Sequence, residues 1–418
     1  RFPLVHDPVV VNYIRRLLQR IQAVMPPQPF SIQVEVLRDS SVNAFAAPAG
    51  YLFVHTGLIL NMAHESELAA VLAHELAHVS QRHLAQNIER SKKLSLATLA
   101  GVLAGALLGQ GSEVGEAVAI GSIAGGQAAS LKYSREDERE ADHIGLRYLV
   151  QSGYNPWGMA NSFKRIKQQM LMGGSATPPD YMLTHPGLNE RIGYMQDMVQ
   201  NLPGSHQKPG PSEEEFRKVQ TILRARYTEA HSAIRYFPDS DADLTCLERL
   251  GKGIVYERLN RITKAKELLL NSGECSGNDA LWQREMGRFH FQLGRFEPAF
   301  KHLQKALQLN EDDLFALFFR ARILAQQGKV KPAEEDLRRI LRVVPQDPEV
   351  HEVLGRALGR AGDSFQGYLH FAYASLYRHN KSKTKDYLSK LEQLARTSQQ
   401  QNKLEEFEQA FEEWSKYW

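Results

Sequence analysis

"VLAHELAHVSQRHLA", residues 71–85, decides how the first half of this 418-residue chain is read. The run from Ala69 to Leu84 contains no Pro or Gly and is rich in Ala and Leu, so it reads as a helix. On a helix, residues four apart project only about 40° from each other, which sets His74 beside His78. Two imidazoles placed so can share one zinc ion at about 2.0–2.1 Å. Glu75 sits about 100° round from His74, at the flank, where a general base can reach a water without ligating the metal. An ordinary amphipathic helix would need a solvated face. Here Ala70, Val71, Ala73, Leu76, Ala77 and Val79 leave almost none, so the helix is expected to be buried. Buried histidines need partners.

Zinc needs more than two protein ligands. The long HExxHxxGxxH form is excluded, because Gln81 and Leu84 stand where it needs glycine and histidine. His83 is one position out of place, about 140° away from His78 on a continuous helix, and is expected at the surface or behind the ligands. A better source is "YSREDEREADHIGLRYLV", residues 133–150. On a helical wheel Glu136, Arg139, Glu140, His143 and Arg147 gather on one polar face. Ala141, Gly145, Tyr148 and Leu149 lie opposite, and Glu138 and Asp142 fall in the middle of that apolar face. Two buried carboxylates without partners are costly. A metal resolves the cost: Glu138 ligates it, and Asp142 accepts the second N–H of a ligand histidine. Glu140 points the other way and is rejected as a ligand.

HELAH followed by a glutamate four residues before the aspartate of "EADHIG" resembles the HtpX-type zinc metallopeptidases. "NAFAAPAGYLFVHTGL", residues 43–58, is similar to that family's strand pair ahead of the metal helix. "THPGLNERI", residues 184–192, is similar to its His-Pro-x-x-x-x-Arg element. The resemblance implies His74, His78 and Glu138 as zinc ligands and Glu75 as base. It implies His185 as a fourth ligand that closes the site at rest, and Arg191 near the active site. With helical repeats behind it, the resemblance points to a periplasmic protease that monitors outer-membrane protein assembly.

Residues 201–214, "NLPGSHQKPGPSEE", are Pro, Gly and polar, and read as a linker. A period of 34 follows, with Gly253, Gly287, Ala321 and Gly355 in register. Asn260, Gly294, Gly328 and Gly362 share a second register, and Ala265, Ala299, Ala333 and Gly367 a third. This is tetratricopeptide spacing, with small residues where paired helices approach. Terminal helices at about 215–235 and 384–418 are expected to cap the stack. Cys246 and Cys275 occupy the first and thirtieth places of one repeat, where antiparallel helices can bring them together as a disulfide. Such a bond fits an oxidising periplasm.

With 43% hydrophobic and 24% charged residues the composition is globular. A net charge of +3, close to balance, gives no sign of nucleic-acid binding through a broad basic surface. "RFPLVHDP" at the start reads like the interior of a protein, so a leader is expected to have preceded it. The apolar, Gly- and Ala-rich residues 94–131 are expected to form a helical hairpin near the active site or against a membrane surface. Its first apolar run, about 24 Å as a helix, is shorter than the roughly 30 Å hydrocarbon core.

The expected architecture is mainly α. Residues 1–200 form a zincin-like α+β catalytic domain with a small sheet, 201–214 a linker, and 215–418 an α-solenoid of tetratricopeptide repeats with capping helices. The expected activity is a zinc-dependent endopeptidase with one zinc per chain. In the catalytic set, Glu75 works with Asp142 and Arg191. Substrate is expected to lie extended along an edge strand of the "NAFAAPAGYLFV" region, residues 43–54, where backbone pairing tolerates many sequences. Partners are unfolded or misassembled proteins and, through the repeats, the outer-membrane β-barrel assembly machinery. The rival reading is a chaperone-like binding protein with a mostly closed metal site.

Overall fold

The computed structural model describes residues 4–90, 133–172, 181, 184–202, 210–276 and 279–415. The hairpin expected at 94–131 lies outside the described residues, as does most of the 201–214 linker. Two units result, divided between Asp239 and Ser240.

The first unit is helical around a three-stranded sheet, as expected. Helix α1 (Pro8–Gln22) starts on an Asp7 cap and buries Val10, Tyr13, Ile14, Leu17, Leu18 and Ile21. Strand β1 (Gln33–Leu37) pairs in parallel with β3 (Tyr51–His55), and β2 (Ala44–Ala47) pairs antiparallel on its other side. The order β1-β3-β2 makes the Val- and Phe-bearing β3 central and leaves β2 at an edge. Phe45 and Phe53 face each other across β2 and β3, with ring centroids 5.2 Å apart. The short helix α2 (Thr56–Asn61) leads to α3 (Glu65–Ser80), the helix of the HELAH motif.

Every residue of α3 from Glu65 to His78 is buried. Its apolar side chains Leu68, Val71, Leu72 and Leu76 each contribute about 1.5–3 kcal/mol by leaving water. Polar partners tie down its first turn. Tyr13 donates to Glu65 at 3.2 Å, and Arg165 meets Glu67 at 2.6 Å. The expected helix through Leu84 is interrupted. It ends at Ser80, Arg82 takes a left-handed φ of 60°, and α4 (His83–Arg90) starts in a new direction.

Helix α5 (Arg135–Gln151) packs on α3, and α6 (Trp157–Met172) packs on α3 as well. Gly145 is where α5 comes closest: a Cβ there would lie 3.1 Å from the backbone N and Cα of His74. Helix α7 (Leu188–Gln200) begins after a left-handed Gly187 and packs on α6. Helix α8 (Glu213–Ile222) had been expected to start the cap of the repeats, yet it packs on this first unit. Buried Gln220 donates to the carbonyls of Ile59 (2.8 Å) and Met62 (2.7 Å), and Phe216 is fully buried. The two compact units divide at 239/240, so α8 falls in the first unit although it follows the 201–214 linker read from composition.

The second unit pairs α9 (Cys246–Arg258) with α10 (Ile262–Ser276), and α11 (Ala280–Gln292) with α12 (Phe296–Leu309). It continues with α13 (Leu314–Gln326) on α14 (Val330–Val343), and α15 (Pro348–Arg360) on α16 (Ser364–Tyr377). The first register marks contact points: a Cβ on Gly253 would reach Leu269 at 2.9 Å, and one on Gly287 would reach Leu303 at 2.6 Å. The second register marks the turns, where Asn260, Gly294, Gly328 and Gly362 all have positive φ. Ala265, Ala299 and Ala333 of the third are fully buried. A fourth register escaped sequence reading: Thr245, Asp279, Asp313 and Asp347 each cap the helix that follows. Helices α17 (Lys381–Leu394) and α18 (Ser398–Ser415) close the stack, burying Phe407 and Trp414. Cys246 and Cys275 are joined as a disulfide, with Cα atoms 6.3 Å apart. Among the described residues, no helix is long and apolar enough to cross a membrane.

Candidate metal centre

Three elements converge beneath the crossing of α3 and α5. Helix α3 brings His74 and His78, α5 brings Glu138 and Asp142, and the segment ahead of α7 brings His185. The polar face of α5 is exposed at Glu136, Arg139, Glu140, His143 and Arg147, while Glu138 and Asp142 are buried among apolar neighbours.

His74, His78, Glu138 and His185 are all buried, and one ligand atom from each lies within 4.8 Å of the others. His74 Nε2 is 3.0 Å from His78 Nε2 and 3.4 Å from His185 Nδ1. Glu138 Oε1 is 2.9 Å from His185 Nδ1 and 3.4 Å from His78 Nε2. Four ligands held tetrahedrally at about 2.0–2.1 Å from an ion stand about 3.3 Å from one another. The observed separations bracket that value, and three imidazole nitrogens with one carboxylate form a donor set suited to zinc. Glu75 supports the same fit. It is fully buried beside the cluster, and neither carboxylate oxygen has a hydrogen-bond partner among the described residues. Its nearest ionic neighbour is His185 Nε2, 3.4 Å from Oε1.

Asp142 lies behind His74, with Oδ1 2.9 Å from His74 Nδ1. Arg191 holds Asp142 in a two-pronged bond, Nε to Oδ2 at 2.8 Å and Nη2 to Oδ1 at 2.7 Å. Its Nη1 reaches Glu138 Oε2, and its guanidinium lies 4.3 Å over the Phe163 ring. The Tyr194 hydroxyl also donates to Asp142. Arg191 thus pairs with both site carboxylates of α5, Glu138 and Asp142.

These contacts set the charges. Burial opposes ionisation of Asp142, but Arg191 and His74 hold its carboxyl down at about 2. Burial also opposes ionisation of Glu138, and the charges of His185 and Arg191 keep it well below the usual carboxylate range. Burial and Arg191 push His74 down, while its hydrogen bonds to Asp142 and Glu138 prevail and carry it up to about 9. Burial drives His78 well below its ordinary value. Burial pushes Glu75 up, toward the range of a working base, against the pull of His185 and His74.

Sequence reading missed several neighbours. Tyr133 stacks on the His78 ring, centroids 3.8 Å apart, and Tyr181 stacks on His185 at 4.3 Å. Tyr133 stands just before the Ser134 cap of α5, a position that could have drawn attention. Tyr181 and Phe163 carry no sequence signal for the site. His83, expected at the surface or behind the ligands, is buried behind His78. A polar cleft of about 190 Å³ opens beside Glu138 and Arg191, lined by Pro186, Gly187, Glu190 and Tyr194. Neither Glu75 nor His185 lines it.

An HExxH helix, a glutamate from a second helix and a buried base define a metallopeptidase centre, and comparison agrees. Residues 7–199 match peptidase family M48, and residues 290–357 match a tetratricopeptide repeat. The first unit thus contains a match to M48 metallopeptidases over residues 7–199, followed in the same chain by a match to tetratricopeptide repeats. Relatives narrow the class. The beta-barrel assembly-enhancing protease of Yersinia pestis is 28% identical over 86% of this chain and 74% of its own length. The protein of that name from Escherichia coli K12 is 34% identical over 46% of this chain and 39% of its own. A Vibrio cholerae relative is 33% identical over 64% of this chain, which spans 56% of that relative's length.

Proposed function

We propose that this chain is a zinc-dependent endopeptidase of the bacterial cell envelope. Its substrates are misassembled outer-membrane proteins, and it is held closed at rest. The observation that carries the reading is the buried cluster of His74, His78, Glu138 and His185 with Glu75 against it. A zinc ion held there supplies Lewis acidity toward a water and a scissile carbonyl. Glu75 takes the proton from the attacking water and returns it to the leaving amine. Asp142 keeps the His74 Nδ1 proton in place and so presents Nε2 to the metal. Arg191 pairs with both Glu138 and Asp142 and, with the histidines, favours their ionised forms while buried. Strand β2, at the sheet edge among the described residues and packed beside α3, offers its outer backbone side to an extended substrate.

Catalytic zinc keeps one position open. His185 stands in the cluster 3.4 Å from His74 Nε2 and 3.4 Å from Glu75, which supports the reading that it would occupy that position at rest. The names of the relatives support an envelope role in β-barrel assembly. The disulfide supports an oxidising compartment, the periplasm. The repeat unit recruits substrate or the assembly machinery, as stacked repeats present extended surfaces to proteins.

The closure also favours a second reading, a chaperone-like binder whose metal site seldom opens. Metal analysis and casein digestion, run on the native chain and on Glu75→Gln, separate the two. The protease reading expects one zinc per chain in both proteins, with cleavage and client processing lost in the variant. Full client function in Glu75→Gln would favour the binder.

A further inference from the structure

The two HExxH histidines are held from behind in different ways. His74 Nδ1 meets a carboxylate directly, Asp142 at 2.9 Å. His78 Nδ1 meets another imidazole, His83 Nδ1, at 2.9 Å. His83 Nε2 in turn lies 3.2 Å from Glu140 Oε2, with Asp137 Oδ1 farther off at 4.0 Å. His83 is 1% exposed, whereas the Glu140 side chain is 54% exposed.

We propose that His83 and Glu140 are positioning residues for the metal site: they fix the tautomer and ring orientation of His78 through a chain that ends at an exposed carboxylate. The proposal rests on reading the four-residue cluster as the metal site. The tautomers then follow without freedom. His78 turns Nε2 toward the cluster, so that atom must offer a lone pair and the ring's proton sits on Nδ1. That proton points at His83 Nδ1, which must accept it. A neutral His83 then carries its own proton on Nε2, facing a carboxylate that can only accept. Each link permits one arrangement, and a carboxylate at the far end strengthens ligand basicity as in other metal-bound histidines.

The backbone is bent to make this contact. On an uninterrupted helix His83 would point about 140° away from His78. Arg82 instead takes φ 60°, an uncommon conformation for a residue with a side chain, and the chain restarts as α4 with His83 turned back under His78. Tyr133 stacks on the face of the His78 ring, with centroids 3.8 Å apart.

The test measures zinc affinity by competition with a chromophoric chelator, on the full chain, for His83→Ala, His83→Gln, Glu140→Lys and His74→Ala. His83→Ala is expected to bind zinc about 10–100-fold more weakly. His83→Gln, whose amide oxygen can accept from His78 Nδ1–H, is expected to recover most of that loss, which a purely structural role would not predict. Glu140→Lys replaces the acceptor with a donor on an exposed side chain, so it carries the test if His83→Ala does not fold. It is expected to cost about tenfold. Nitrogen-15 spectra of the zinc form should show His83 protonated at Nε2 and unprotonated at Nδ1. Affinity within about twofold of native in both His83→Ala and Glu140→Lys, with zinc lost in His74→Ala, would overturn the relay and leave the metal site standing. Native affinity in His74→Ala would overturn both. A zinc form with His83 protonated at Nδ1 would also overturn the relay.

Discussion

His74 is a cation waiting to be discharged. Its partners carry it up to about 9, while Glu138 is ionised and His78 is already neutral near pH 7. A ligand imidazole must be neutral, so zinc capture releases the His74 proton. The sign follows: a raised pKa means that protons compete with metal below it. Apparent zinc affinity should therefore rise about tenfold per pH unit between pH 7 and 8, and level off near the His74 value. Zinc titrations at several pH values check this, and a flat profile would remove the assigned charge. His185 is the second residue to test. Pro186 and the left-handed Gly187 follow it directly, a setting in which a short segment can shift. His185→Ala should keep zinc and raise basal cleavage of an unfolded protein, by about tenfold if the closed state leads by about 1.4 kcal/mol. Unchanged or lower cleavage with zinc retained would end the case for a plug.

Between elements, the crossing of α3 and α5 is held by the absence of a side chain. A Cβ on Gly145 would press on the His74 backbone at 3.1 Å. Gly145→Val should cost about 1–3 kcal/mol and weaken zinc binding with it, since the site lies at the crossing. Gly193, on α7, has open space where a Cβ would go and an ordinary φ. Gly193→Ala should be neutral or stabilise by up to about 1 kcal/mol. Thermal melts and zinc content of the pair make the comparison. In the repeats, the bond between Cys246 and Cys275 ties the start of α9 to the end of α10 across 29 positions. In the chain-entropy model it stabilises by roughly 3–4 kcal/mol. Denatured, unreduced protein from the periplasm should titrate no free thiol, and Cys246→Ser/Cys275→Ser should melt at lower temperature. Equal melting temperatures would make the bond incidental.

At the scale of the molecule, the position of the boundary decides how the chain is divided experimentally. Cutting at 212 would remove α8, whose Gln220 and Phe216 are built into the first unit. Ending the chain after Asp239 keeps that helix. On the proposed recruiting role of the repeats, the fragment 1–239 should bind zinc and cleave casein as the full chain does, yet lose its effect on natural substrates. A fragment that serves those substrates as well as the full chain would refute the recruiting role.

Much of this was already legible in the chain. Spacing alone puts His74 beside His78, because the helical repeat brings residues four apart together. The wheel of 133–150 marks Glu138 and Asp142, because charges on an apolar face demand partners. Period 34 marks the repeats, because each must place small residues, turns and caps where its neighbour does. These are local signals, carried by residues on one element. What only the tertiary structure decided is what meets across elements. The turn at Arg82, not visible in composition, brings His83 under His78 and gives Glu140 a partner despite its exposed face. Arg191 spans Glu138 and Asp142 from a segment 49 positions beyond Asp142. Helix α8 joins the first unit despite the polar stretch before it, because its buried Gln220 finds two carbonyls there. Such contacts depend on how separate helices cross and end, and no periodicity within one helix encodes that geometry.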